Sequence, residues 1–132
     1  MEAKTILKYK KKTLSQLIKL ATLHFNKFIR ERDKYKGCVS CGAKVEHAGH
    51  FYSAGHYSNL RFTETNCHGQ CLRCNNFLHG NLNEYRKNIT QRISEDDLKD
   101  LDALSSYYKK HPFKWDRFAL IEIIEKYKNY ER

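Results

Sequence analysis

Two cysteine pairs, Cys38-Val-Ser-Cys41 and Cys71-Leu-Arg-Cys74, stand 29 residues apart in this chain. Cysteines at C-x2-C spacing, the first pair followed by Gly42, can turn both thiolates toward one ion from a tight knuckle. Two such knuckles complete the tetrahedral four-sulfur shell that a structural Zn²⁺ prefers, so Cys38, Cys41, Cys71 and Cys74 are the expected zinc ligands. A thioredoxin-like redox pair would need βαβ surroundings and would leave the second knuckle unexplained. Cys67 would make only a wider C-x6-C pair with Cys74, and is read as a small buried side chain.

Between and beside the knuckles lie His47, His50, His56, His68 and His79, five of the seven histidines in the chain. A neutral imidazole can take a proton from water near pH 7, and an amide such as Asn66 can hold that imidazole in one orientation. A divalent ion can then neutralise charge on a phosphate and its leaving oxygen. Arg61 or Arg73 could steady the phosphate through a bidentate contact. Together these are the parts of a one-metal nuclease. The plainer alternative, in which single histidines only ligate zinc or touch phosphate, fits His24, His56, His79 and His111 better.

Helices must position these groups. Thr13-Leu-Ser-Gln16 is a capping box. After it, Leu14, Leu17, Ile18, Ala21, Phe25, Phe28 and Ile29 recur at spacings of three and four, one apolar face of a helix that Gly37 should end. Residues 37–80 hold all five cysteines and all six glycines. Their periodicity is weak, so metal ligation is expected to order them. Beyond them Leu82, Tyr85 and Ile89 predict a helix. Ser94-Glu-Asp-Asp97 caps another that buries Leu98, Leu101, Leu104 and Tyr108. Pro112 breaks the chain, and a last helix from about Trp115 carries Phe118, Ile121, Ile124 and Tyr127 inward. The fold class is α+β, mainly helical, as a single domain over 1–132 with a basic arm and helix (1–36), a zinc-bound core (37–80) and C-terminal helices (81–132).

The chain has 132 residues, 25 Lys and Arg against 15 Asp and Glu, and a net charge of +10. Residues 1–36 alone carry 11 basic and 3 acidic side chains. That density suits a polyanion, because Lys10, Lys11 and Lys12 would release condensed counterions on meeting phosphates. No apolar stretch reaches the roughly 20 residues of a bilayer span. The N-terminus lacks an apolar signal region, so a cytoplasmic protein with reduced thiols and no membrane partner is expected.

The order Cys-x2-Cys, Gly49-His50, Asn66, Cys71-x2-Cys74-Asn75 resembles the HNH nuclease motif in its zinc-ribbon form. More closely, His47-Ala-Gly-His50-Phe-Tyr-Ser-Ala-Gly, Leu60-Arg61-Phe62, Asn66-Cys-His68-Gly-Gln70-Cys71, Cys74-Asn75-Asn76 and Gly80-Asn81 resemble the phage lambda NinG (Rap) recombination nuclease family. Phe28-Ile29-Arg30-x-Arg32-Asp33 is similar to it too, so the specific motifs cover about residues 25–85. The resemblance implies a treble-clef-like ββα-metal (HNH) core flanked by helices. It also implies a metal-dependent endonuclease cutting branched recombination DNA, of Holliday-junction or D-loop type, in a bacterial host. His50 falls on the general-base position, Asn66 on the orienting position and Asn75 on the last metal-ligand position. Gly49 departs from the pattern, since the residue before the base is commonly an Asp or His ligand. His47 and His68 are the available substitutes as ligands of Mg²⁺ or Mn²⁺ or as catalytic contacts.

On this reading His50 activates water, which displaces the 3′-oxygen in line and leaves 5′-phosphate and 3′-hydroxyl ends. Two rivals stay open: a non-catalytic zinc module that binds nucleic acid, and an adaptor whose basic surface meets an acidic protein. Monomer and homodimer also both stay open, since cutting two strands symmetrically would require two active sites.

Overall fold

The computed structural model describes residues 1–130. They form a mostly helical α/β structure with a two-stranded antiparallel sheet. The chain divides into two compact units, one of Met1–Phe28 with the segment from Lys114 onward, the other of Ile29–Phe113.

The first unit opens with α1 (Ala3–Lys8), a short helix that the charge-rich sequence did not suggest. The next helix, α2 (Leu14–Asp33), starts in the expected capping box. Gln16 N–H donates to Thr13 Oγ1 at 3.2 Å, and Thr13 N–H donates to Gln16 Oε1 at 2.9 Å. Leu17, Ala21 and Phe25 are fully buried, as are Leu120, Ile121 and Ile124 from the last helix, α5 (Arg117–Lys128). Phe25 meets the Tyr127 ring edge-on at 5.0 Å. Tyr9 donates its hydroxyl to Glu125 at 2.6 Å, and burial followed by that bond pushes its pKa up to about 12.

In the second unit, β1 (His47–His50) pairs with β2 (Cys67–Gln70). A five-residue π-helical turn (Arg73–Phe77) leads to α3 (Leu82–Ile89) and α4 (Glu95–Lys110). Val39, Phe51, Leu60, Tyr85, Ile89 and Leu101 form its core. The predicted Ser94–Asp97 capping box is present.

Several boundaries and faces differ from expectation. α2 ends at Asp33 rather than at Gly37: Lys36 N–H bonds back to the Asp33 carbonyl at 2.9 Å in a tight turn, while the Asp33 carboxylate reaches Arg32 and the Gly69 amide. Gly37 lies beyond in a left-handed turn (φ 81°), where a Cβ would stand 2.8 Å from the Gly42 carbonyl. Leu14, Leu82, Leu104 and Phe118 are exposed although their spacing put them inward. They sit at helix ends or on the margin of an apolar stripe, where neighbouring elements do not reach. The last helix begins two residues late, because the Asp116 side chain accepts the Ala119 amide at 2.9 Å and caps it there.

Candidate functional site

The four knuckle cysteines converge. Their sulfurs all lie within 4.8 Å of one another, with Cys38, Cys71 and Cys74 buried and Cys41 exposed. Cys41 and Cys71 sulfurs are 3.6 Å apart. Backbone Cys74 N–H points at Cys71 Sγ (3.4 Å) and the Asn81 amide at Cys74 Sγ (3.5 Å). N–H groups aimed at sulfur support thiolates, so this donor set fits a tetrahedral ion such as zinc. Cys67 lies apart, fully buried on β2.

The hairpin between the knuckles is in the register His47↔Gln70, Ala48↔Gly69, Gly49↔His68, His50↔Cys67. Strand alternation puts His47, Gly49, His68 and Gln70 on one face and Ala48 and His50 on the other. Gln70 Nε2 donates to Ser40 Oγ and to the Gly80 carbonyl, both at 2.8 Å, tying the two knuckles together across the sheet. Behind β2, the fully buried Asp33 accepts the Gly69 amide at 2.8 Å. Burial alone would raise the Asp33 pKa, but the two-bond contact with Arg32 and the Gly69 amide hold it below the usual carboxylate range. Arg32 also donates to the Cys67 carbonyl at 2.8 Å, so the Arg32-Asp33 pair clamps the strand.

His50 ends β1 and bonds through Nε2 to the Arg61 carbonyl at 2.8 Å. A carbonyl only accepts, so Nε2 carries the proton and the lone pair is on Nδ1. Burial lowers the His50 pKa below the ordinary 6.5, the bond to Arg61 opposing the shift. The ring is therefore neutral at pH 7. Asn66, fully buried, fixes the loop that supplies this carbonyl. Its Oδ1 accepts from Tyr52 N–H (2.9 Å), and its Nδ2 donates to the carbonyls of Tyr52 (3.0 Å) and Leu60 (3.1 Å). Asn66 thus acts on His50 through the backbone on either side of residues 52–60.

His50 opens onto a cleft of about 630 Å³ lined also by Tyr52, His79, Asn83, Arg86 and Lys87. Sequence reasoning set His79 aside and missed Arg86 and Lys87. For α3 the signal was present: 82, 83, 86 and 87 follow helical spacing and mark a face beside the one that buries Tyr85 and Ile89, whereas His79 lies in the turn before the helix. His79 has φ 49° and is followed by left-handed Gly80 and Asn81, a turn that non-glycine residues adopt at some cost. Arg86 donates to Asp102 at 2.7 Å and stacks over Phe51 at 4.9 Å.

The other expected site residues lie elsewhere. His47 Nδ1 meets the Asn75 amide at 3.0 Å, so these two candidate ligands are brought together. His68 is only 2% exposed and is not brought to His50. Tyr85 gives its single hydroxyl proton to the Gly49 carbonyl (2.7 Å) and so accepts from His68 Nδ1–H (3.1 Å). Burial, then the charge of Arg32, pushes His68 down to a pKa of about 3. His68 lines a separate cavity of about 240 Å³ with Arg32, Lys36 and Arg92. Arg61 serves through its carbonyl, and its Nε is buried without a hydrogen-bond partner. Arg73 is exposed on the π-helical turn, and Lys10, Lys11 and Lys12 are exposed between α1 and α2.

No helix among the described residues is long and apolar enough to cross a membrane. Proteins named ninG match the chain over 103 residues, 76% of its length. That of Salmonella phage P22 is 39% identical, with 49% of that protein covered. Those of Escherichia phages lambda and 933W are each 38% identical, with 49% and 50% covered. The chain thus spans about half the length of these curated relatives. No solved structure matches it. The family profile described as NinG, Bacteriophage Lambda NinG protein, matches residues 2–132, and the chain belongs to that family.

Proposed function

We propose that this protein is a DNA endonuclease of the HNH, ββα-metal type that acts on branched recombination intermediates. The carrying observation is His50: a neutral, largely buried imidazole with its proton directed to the Arg61 carbonyl, at the wall of a cleft that also holds Arg86 and Lys87. His50 Nδ1 takes the proton of the attacking water. The cationic groups of the cleft draw the phosphate in. Asn66 keeps the base in place through the loop it ties.

Zinc on Cys38, Cys41, Cys71 and Cys74 would staple the knuckles, and the sulfur geometry fits it. His47 and Asn75 would hold a divalent cation such as Mg²⁺ or Mn²⁺ through His47 Nδ1 and Asn75 Oδ1, once the amide N–H that now meets Nδ1 turns away. Such a cation would neutralise charge on the phosphate and the leaving 3′-oxygen. Lys10, Lys11 and Lys12 would add affinity for the DNA backbone.

A synthetic four-way junction with Mg²⁺ or Mn²⁺ tests the reading. Nicks with 5′-phosphate and 3′-hydroxyl ends, lost in His50→Ala, are expected. Salt-sensitive binding without cleavage would select instead a non-catalytic zinc module that binds nucleic acid. That second reading is favoured by Gly49, where the packing of Gln70 leaves no room for a ligand side chain.

A further inference from the structure

We propose that a second cavity, next to the His50 cleft, receives an unpaired nucleobase of the DNA. It measures about 630 Å³ and is lined by Gly55, His56, Tyr57, Ser58, Asn59, Tyr108, Lys109, Pro112 and Phe113, with Tyr57, Tyr108 and Phe113 supplying rings and no acidic side chain on the wall. Tyr108 meets Phe113 edge-on at 5.6 Å, and Lys109 Nζ lies 5.9 Å from the centre of the Tyr57 ring. Ring faces, one amide and a cation suit an unpaired nucleotide: the base stacks, Asn59 reads its edge, and Lys109 meets its phosphate. Its volume falls in the range of small-ligand sites.

The location points to the strand that is cut. Tyr57 lines both this cavity and the His50 cleft. Rings step from one to the other, Phe51 to Tyr52 at 5.0 Å and Tyr52 to Tyr57 at 4.9 Å. A nucleotide seated at Tyr108 would therefore be close along the chain to the phosphate at His50. Paired DNA keeps its bases stacked and cannot fill the cavity without flipping one out, so branch points and gaps that expose a base are favoured. This selectivity rests on the DNA-cleaving reading above, but the binding can be measured without cleavage.

The test uses the full chain without added divalent cation and a short single-stranded oligonucleotide carrying 2-aminopurine. Binding should quench the fluorophore by stacking. Tyr108→Ala should weaken oligonucleotide binding about 5- to 150-fold while duplex binding stays near parental, since stacking of one base on an aromatic ring has that order of effect. Gly55→Leu is the second variant. Gly55 lines the cavity, and a Cβ there meets nothing within 4 Å, so the fold should tolerate a side chain that obstructs the base. No quenching in the parent, or parental quenching and affinity in both variants, overturns the proposal. If the parent fails to nick a junction with Mg²⁺ or Mn²⁺ yet both variants lose the quench, the cavity stands and the nuclease reading falls. Nicking by a parent that shows no quench removes the cavity alone.

Discussion

Gln70 fills the space in which a side chain at Gly49 would stand. A Cβ on Gly49 would lie 2.6 Å from Gln70 Cδ and closer still to its Oε1. The Gln70 amide is held there by Ser40 and by the Gly80 carbonyl. Glycine at 49 is therefore a packing requirement of the sheet that joins the two knuckles. Gly49→Asp should not supply a metal ligand. It should destabilise the protein by about 1–3 kcal/mol or more from overpacking, before any cost of an uncompensated buried charge. Urea melts of Gly49→Asp and Gly49→Ala measure this, and a parental midpoint in both would contradict it.

If His50 is the general base, His50→Ala should lower nicking by about 10²–10⁴-fold with zinc content and melting temperature near parental. Because burial depresses the His50 pKa, the acid limb of the rate should bend below pH 6.5. A limb at or above 6.5 would assign the titration to another group. Raising the metal concentration should rescue His47→Ala in part and leave His50→Ala unrescued, since a weakened ligand set responds to mass action and a missing base does not.

Zinc should hold the central segment. Cys38→Ser or Cys74→Ser should melt early or fail to fold, because residues 37–80 have little apolar periodicity and depend on ligation for order. Elemental analysis that finds no zinc in folded, purified protein would overturn this.

Neutralising Lys10, Lys11 and Lys12 should weaken DNA binding evenly across sequences. The slope of log K against log salt should flatten by up to about one unit for each phosphate that a lysine no longer neutralises. Saturating DNA should restore turnover. An unchanged slope would mean that these exposed lysines do not meet the backbone.

His68 makes stability depend on pH. Folded, it resists protonation down to about 3, whereas the unfolded chain takes up the proton near 6.5. Its neutral form thus gives full stability above 6.5, and that contribution is lost as pH falls toward 3, at up to about 1.4 kcal/mol per pH unit. His68→Asn, which can keep a donor toward Tyr85, should lose less stability than the parent between pH 7 and pH 5. Equal losses in denaturant melts would show that His68 is not the group responsible.

The sequence by itself determined the local features, those whose cause lies within a few residues. The Thr13–Gln16 and Ser94–Asp97 caps, the break at Pro112, the buried Tyr85 and Ile89 stripe and the two knuckles follow from spacing along one chain. It also singled out His50, Asn66, His47 and Asn75, although not how they meet. Only the tertiary structure decided that His47 joins Asn75 while His50 faces the cleft: alternation along β1 puts residues three apart on opposite faces, but what each face meets depends on the packing around the sheet. It turned His68 from a candidate contact into a buried neutral ring held by Tyr85, a residue 17 positions away. It also brought His79, Arg86 and Lys87 to the wall of the His50 cleft. Helical spacing marked the face of α3 that carries Arg86 and Lys87, but which element that face meets depends on how β1 and α3 pack.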